Sequence, residues 1–189
     1  MHPANHALIV IDVQNDFCPG GALAVTGGDE IVGPIDALME EFANVILTQD
    51  WHPLEHSSFA SQHAGKALME QIEMPYGPQV LWPDHCIQGT HGALFHEELS
   101  SDRADLIIRK GYNPAIDSYS AFFENDQTTP TGLDGYLRSR SIDIAISPPV
   151  LPQLIATAAL RSRTASIADH MDVLLPLRRT WLGLSVIFT

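Results

Sequence analysis

Asp50, His52, His56 and His85 are the residues whose types and spacing point most directly to chemistry. Asp50 and His52 stand two apart at the end of an apolar run, so in extended backbone both side chains project from one face. His56 follows one short turn later, and His85 can return across a long loop to the same point. One carboxylate and three imidazoles make a mixed oxygen and nitrogen shell suited to a divalent Zn, Fe or Mn ion, with positions left for water or substrate.

Such a shell needs elements to hold it. Ala7 to Val13 is a continuous apolar run rich in β-branched residues, which predicts a strand buried on both faces, with Asp12 near its carboxyl end. Carboxyl ends of parallel strands are where open α/β sheets place their ligands. Asp29 to Phe42 has helical spacing with Pro34 as its one flaw, and Ala43 to Leu47 reads as the second strand. After a long loop, Gly92 to Leu99 is expected to be helical, and Asp105 to Lys110 reads as a third strand ending in cations. Leu133 to Ser139 reads as a helix and Ile142 to Ile146 as a fourth strand. This alternation predicts an α/β fold with a mainly parallel sheet covered by helices, in a single domain spanning 1–189.

The 189 residues carry a formal charge of −13, which argues against nucleic acid, whose phosphates would repel the chain. No stretch approaches the roughly 18 apolar residues of a membrane span, and the first residues lack a signal sequence. Two cysteines, Cys18 and Cys86, are too few for a disulfide framework. A cytoplasmic protein acting on small molecules is the expectation, and a homo-oligomer stays open. His63, His91 and His96 lack the context of the other histidines and are read as solvent-exposed.

Four pieces occur in one order: Asp12-Val13-Gln14-Asn15-Asp16-Phe17, Asp50-x-His52-x-x-x-His56, Trp82-Pro83-x-His85-Cys86 and Arg109-Lys110-Gly111. Together they resemble the nicotinamidase (pyrazinamidase) branch of the isochorismatase-like cysteine hydrolases, over residues 7 to about 146. Tyr119-Ser120-Ala121-Phe122-Phe123 and Gly132-Leu133-x-x-Tyr136-Leu137 resemble the same family. The resemblance implies a three-layer α/β/α fold and hydrolysis of nicotinamide to nicotinate and ammonia. It implies proton transfer by Asp12, a supporting charge from Lys110, and a metal on Asp50, His52, His56 and His85 that anchors the pyridine nitrogen. Phe17 and Trp82 match the aromatic walls of the pocket. In the family a cysteine thiolate attacks the amide carbonyl, and a thioester follows.

The chain departs from the family at that nucleophile. The family carries it in a motif of the type Gly-Leu/Ile-Ala-Thr-Asp-Tyr/Phe-Cys-Val after the fourth strand, where this chain has Ser147-Pro148-Pro149-Val150-Leu151 and no later cysteine. Residues 147–189 hold four arginines against two aspartates, a formal +2 that leaves −15 for the first 146 residues. A change of reading frame near codon 146 would account for this atypical region. Within it, Gln153 to Leu160 is expected to be a short helix, and Val173 to Leu175 and Leu184 to Phe188 to be strands. The expectation is therefore an impaired nicotinamidase-type amidohydrolase. The alternatives are a non-catalytic metal- or ligand-binding remnant, or a related hydrolase of another small amide.

Overall fold

Residues alternate between two apolar layers along the first strand, β1 (His6–Ile11). Leu8 and Val10 pack with Val32, Ile35 and Met39 on one side of the sheet, while Ala7 and Ile9 pack with Leu133, Leu137 and Ile142 on the other. A strand buried on both faces reads as an unbroken apolar run, as Ala7 to Val13 does. A computed structural model describes residues 2–147 and 185–188. Among them the chain runs β1, α1 (Val32–Met39), β2 (Val45–Asp50), β3 (Gln71–Met74), β4 (Gly77–Val80), β5 (Leu106–Lys110), α2 (Leu133–Ser139), β6 (Ile144–Ser147) and β7 (Ser185–Phe188). The main sheet has the order β5-β2-β1-β6-β7, and β3 and β4 form a separate antiparallel hairpin.

All pairings in the main sheet are parallel except that of β6 with β7. α1 lies against one face and α2 against the other, which makes the expected three-layer α/β/α arrangement. The path moves outward from β1 through β2 to β5, then returns to β6 on the other side of β1. The reversal puts a topological switch point between β1 and β6, and the crevice of an open α/β sheet lies at the carboxyl ends there. Ser147 pairs with Ser185, so the chain leaves β6 and enters β7 at this same carboxyl edge.

Several boundaries differ from the sequence expectation. Gly28–Ile31 is a 3₁₀ turn and the helix begins at Val32, so Pro34 falls in its first turn. The N–H that proline lacks would have no helical partner there, and the apparent flaw vanishes. β2 starts at Val45 and extends to Asp50 because it pairs on both sides, with β1 and with β5.

Gly92 to Leu99 is not a helix but a set of turns. Its carbonyls serve the loop after β1: Asn15 N–H donates to Leu94 O and Asp16 N–H to Gly92 O, each at 3.0 Å. Ala93 O accepts from the side chains of both Gln14 and Gln49. A helix would have consumed those groups within itself. The Leu184 to Phe188 expectation is met by β7, whereas Gln153 to Leu160 and Val173 to Leu175 lie outside the described residues.

Candidate metal and amide site

Three strands deliver one charged side chain each to the carboxyl edge. β1 ends at Ile11 and Asp12 follows at φ 51, in the left-handed region, where the regular strand stops. Asp50 closes β2 and Lys110 closes β5, and the two are direct partners across the strands. Lys110 Nζ lies 2.8 Å from Asp12 Oδ2 and contacts Asp50 Oδ1. It also donates to Ser118 O at 3.1 Å. Thr48 Oγ1 donates to Asp12 Oδ1 at 2.7 Å.

All three charges are buried, so their balance matters. Burial pushes the Asp12 carboxyl up to about 6, against the pull of the Lys110 ammonium, and the nearby Asp50 pushes the same way as burial. Burial alone would lower Lys110, but the two carboxylates outweigh it and hold the ammonium charged. Two carboxylates around one ammonium leave a surplus negative charge, and Asp12 is where a proton can settle.

The backbone of Asp50 is clamped by Gln14. Gln14 Oε1 accepts from Asp50 N–H at 2.8 Å and its Nε2 donates to Asp50 O at 2.9 Å. With Oδ1 turned to Lys110, Asp50 presents Oδ2 at 3.9 Å from His52 Nε2. A metal about 2.1 Å from each would span that gap.

The imidazoles are oriented by carbonyls. His52 Nδ1 donates to Gly111 O at 2.8 Å and His85 Nδ1 to Pro83 O at 2.7 Å. A carbonyl only accepts, so both rings carry their proton on Nδ1 and leave Nε2 with a free lone pair, as a metal-ligating histidine requires. Burial drives His52 down to about 3, and His85 and His56 add to that, so its imidazole is neutral at neutral pH.

Gly111 makes the His52 position possible. It has φ +62, and a Cβ there would stand 2.3 Å from His52 Cε1. Phe59 is fully buried and packs against the rings of His52 and His85, with centroids 5.4 and 5.5 Å away. Phe17 packs edge-on against His85 at 5.7 Å, and Trp82 donates through Nε1 to Tyr119 Oη at 3.0 Å.

Of the four expected ligands, Asp50, His52 and His85 form one group whose ligating atoms lie within 4.8 Å of one another. His56 belongs to a second group, with His52 and Asp117. Ser58 N–H points at His56 Nδ1 from 3.3 Å, so the ring proton sits on Nε2, which faces Ile116 O at 3.3 Å. His52 has a single free nitrogen, so the two groups compete for it. A carboxylate and two neutral imidazoles with aimed lone pairs fit a divalent cation, and the first group meets that description.

Sequence reasoning does not single out Asp117, Gln14, Thr48 or Phe59 as site residues. Gln14 lies inside the Asp12 motif, whereas Asp117 lies in a loop with no periodic signal. Burial works to raise Asp117, but His52 and His56, the Ser118 N–H and Gln79 outweigh it and leave the carboxyl below its ordinary value. His91 is exposed as expected, but His63 and His96 are half-buried, and His63 Nε2 donates to Ser57 O at 2.8 Å.

Fold and site together define an isochorismatase-like α/β protein with a metal-competent centre beside a buried acid–lysine pair. The isochorismatase domain matches residues 6–146. A nicotinamidase of Acinetobacter baylyi is 58% identical over 139 residues, covering 74% of this chain and 65% of that protein. The solved nicotinamidase/pyrazinamidase of Acinetobacter baumanii superposes with a TM-score of 0.79 at 53% identity, over 85% of this chain and 80% of that one. A pyrazinamidase of Pyrococcus horikoshii solved in complex with zinc gives 0.56 at 31% identity, over 83% and 79%. The chain belongs to the isochorismatase family, on its nicotinamidase branch. It spans just under two thirds of the length of its curated relatives in Acinetobacter baylyi and Escherichia coli.

Proposed function

We propose that this chain is a nicotinamidase-type amidohydrolase, built to take nicotinamide beside one divalent metal, whose turnover is impaired for want of a nucleophile. The observation that carries this reading is the Lys110 ammonium joined to both Asp12 and Asp50, next to the aimed nitrogens of His52 and His85. A carboxyl near 6 is suited to take a proton and return it at neutral pH, which is what amide hydrolysis asks of Asp12. Lys110 holds that carboxylate in place and favours negative charge developing nearby. Phe17 and Trp82 form the aromatic walls of the substrate pocket.

Asp50, His52 and His85 would hold the metal, with His56 as a fourth donor if its ring proton moves. When bound, a divalent ion there supplies an anchor for the pyridine nitrogen. Zinc is the first choice on the strength of the Pyrococcus neighbour, with iron and manganese compatible with the same donors. We infer a single domain, a small-molecule amide as partner, no nucleic acid or membrane, and a cytoplasmic location. Among the described residues no helix is long and apolar enough to cross a membrane.

The impaired reading is supported by the two thiols present. Cys18 and Cys86 are both buried, and burial raises both, Cys86 strongly, with Asp50, Asp16 and Asp12 adding to it. A thiol held protonated is a poor nucleophile. The test is ammonia release from nicotinamide by the zinc-loaded chain, measured beside the Acinetobacter baylyi relative. The expected rate is lower by about 10⁴-fold or more. Turnover matching the relative and surviving Cys18→Ala and Cys86→Ala would overturn the account of a missing nucleophile.

A further inference from the structure

The β3–β4 hairpin contributes one fully buried side chain from its eight strand residues, that of Gln79. Its surroundings are polar. Its two Nε2 hydrogens are shared among three acceptors within reach, Asp117 Oδ2 at 2.9 Å, Tyr119 Oη at 2.8 Å and Val80 O at 2.7 Å. Oε1 accepts from Tyr76 Oη at 3.0 Å and from Asn125 Nδ2 at 3.4 Å. A carboxylate only accepts, so the amide's orientation is decided: the nitrogen must face Asp117.

Asp117 Oδ1 accepts from Ser118 N–H at 2.8 Å, which leaves Oδ2 to Gln79. So held, the carboxylate has an oxygen within 4.8 Å of the ligating nitrogens of His52 and His56. The same amide reaches the pocket wall, because Tyr119 Oη also accepts from Trp82 Nε1.

We propose that Gln79 is a positioning residue for the metal end of this site: it fixes the Asp117 carboxylate close to His52 and His56, where its negative charge adds to the attraction for a cation held by Asp50, His52 and His85, and through Tyr119 it fixes the Trp82 indole. The inference rests on the metal-binding reading above. A neutral amide suits the task. It satisfies a buried carboxylate without cancelling its charge, so the field of Asp117 on the imidazoles is kept, whereas an ammonium would remove it and a second carboxylate would repel it.

The experiment is zinc titration of the metal-free full chain in competition with a chromophoric chelator, alongside thermal unfolding of the same samples. Gln79→Leu keeps the bulk and removes both contacts, and should weaken zinc by about 10-fold or more, within the range that loss of a supporting partner around a metal site costs. Gln79→Glu should weaken it at least as much. Tyr119→Phe removes the shared hydroxyl but leaves the Asp117 contact, so its zinc affinity should stay within about threefold of the unaltered chain. If Gln79→Leu does not fold, Gln79→Asn withdraws the amide by one methylene and tests the same contact. Unchanged zinc affinity in the Gln79 variants, with only a lowered Tm, overturns the proposal. So does an equal loss in Tyr119→Phe. Failure of the unaltered chain to bind zinc overturns the metal reading itself, and this inference with it.

Discussion

Lys110 Nζ stands 2.8 Å from Asp12 Oδ2 across the carboxyl ends of β5 and β1, with both side chains almost wholly buried. The same ammonium contacts Asp50, so one cation holds together two carboxylates that would otherwise repel each other. Lys110→Met removes that cation and strands both acids in the interior. It should cost about 3–5 kcal/mol in urea unfolding, the usual penalty for breaking a buried pair. Adding Asp12→Asn should restore part of the loss. A single-variant cost under about 1 kcal/mol would show that the ammonium does not hold the acids together.

Asp12 ties stability to pH. Its carboxyl rises from 3.8 to about 6 on folding, so between those values the folded chain binds the proton and the unfolded chain does not. Its contribution to stability is therefore greatest at low pH and is lost as pH rises through about 6. The stability of the unaltered chain relative to Asp12→Asn should fall between pH 4 and 6 by at most about 3 kcal/mol, at roughly 1.4 kcal/mol per unit, and flatten above pH 7. Denaturant curves at a series of pH values measure this. A difference that stays flat from pH 4 to 7 contradicts the raised carboxyl.

Gly111 carries two constraints at once, a positive φ and the nearness of the His52 ring. Gly111→Ala should destabilise the chain by about 2 kcal/mol or more, and should also push His52 off its carbonyl partner. The distinguishing readout is metal: zinc affinity should drop together with Tm. A variant with unaltered zinc affinity would mean that the ring had room to spare.

Histidine variants separate the two groups of donors. His52→Ala and His85→Ala should each weaken zinc by more than the roughly 10–100-fold that loss of a supporting contact costs, because each removes an aimed lone pair. His56→Ala should cost less, since its free ring nitrogen is occupied by a proton facing Ile116 O. Chelator competition ranks the three. Equal losses for all of them would establish His56 as a full ligand.

Some of this organisation is legible without coordinates. The strand ends at Asp12 and Lys110 are legible from apolar, β-branched runs: unbroken in β1, which is buried on both faces, and alternating in burial in the edge strand β5. Asp50, His52 and His85 could be singled out because their donor chemistry is intrinsic to residue type. The Gly92 to Leu99 helix failed for the opposite reason. Its backbone is claimed by the loop after β1 and by Gln14 and Gln49, partners more than 40 residues away in sequence.

Sequence alone determined the layered α/β plan, the types of donor and the lack of a cysteine between Cys86 and Thr189, since hydrophobic period and side-chain chemistry are local properties. Tertiary structure decided which donors converge. It joined one lysine to two acids, turned Nε2 of His52 and His85 inward through carbonyls of Gly111 and Pro83, and brought Asp117 and Gln79 to a site neither had announced. Apart from the local His85–Pro83 contact, each of these joins segments remote in sequence, and such contacts exist only once the sheet has set its register.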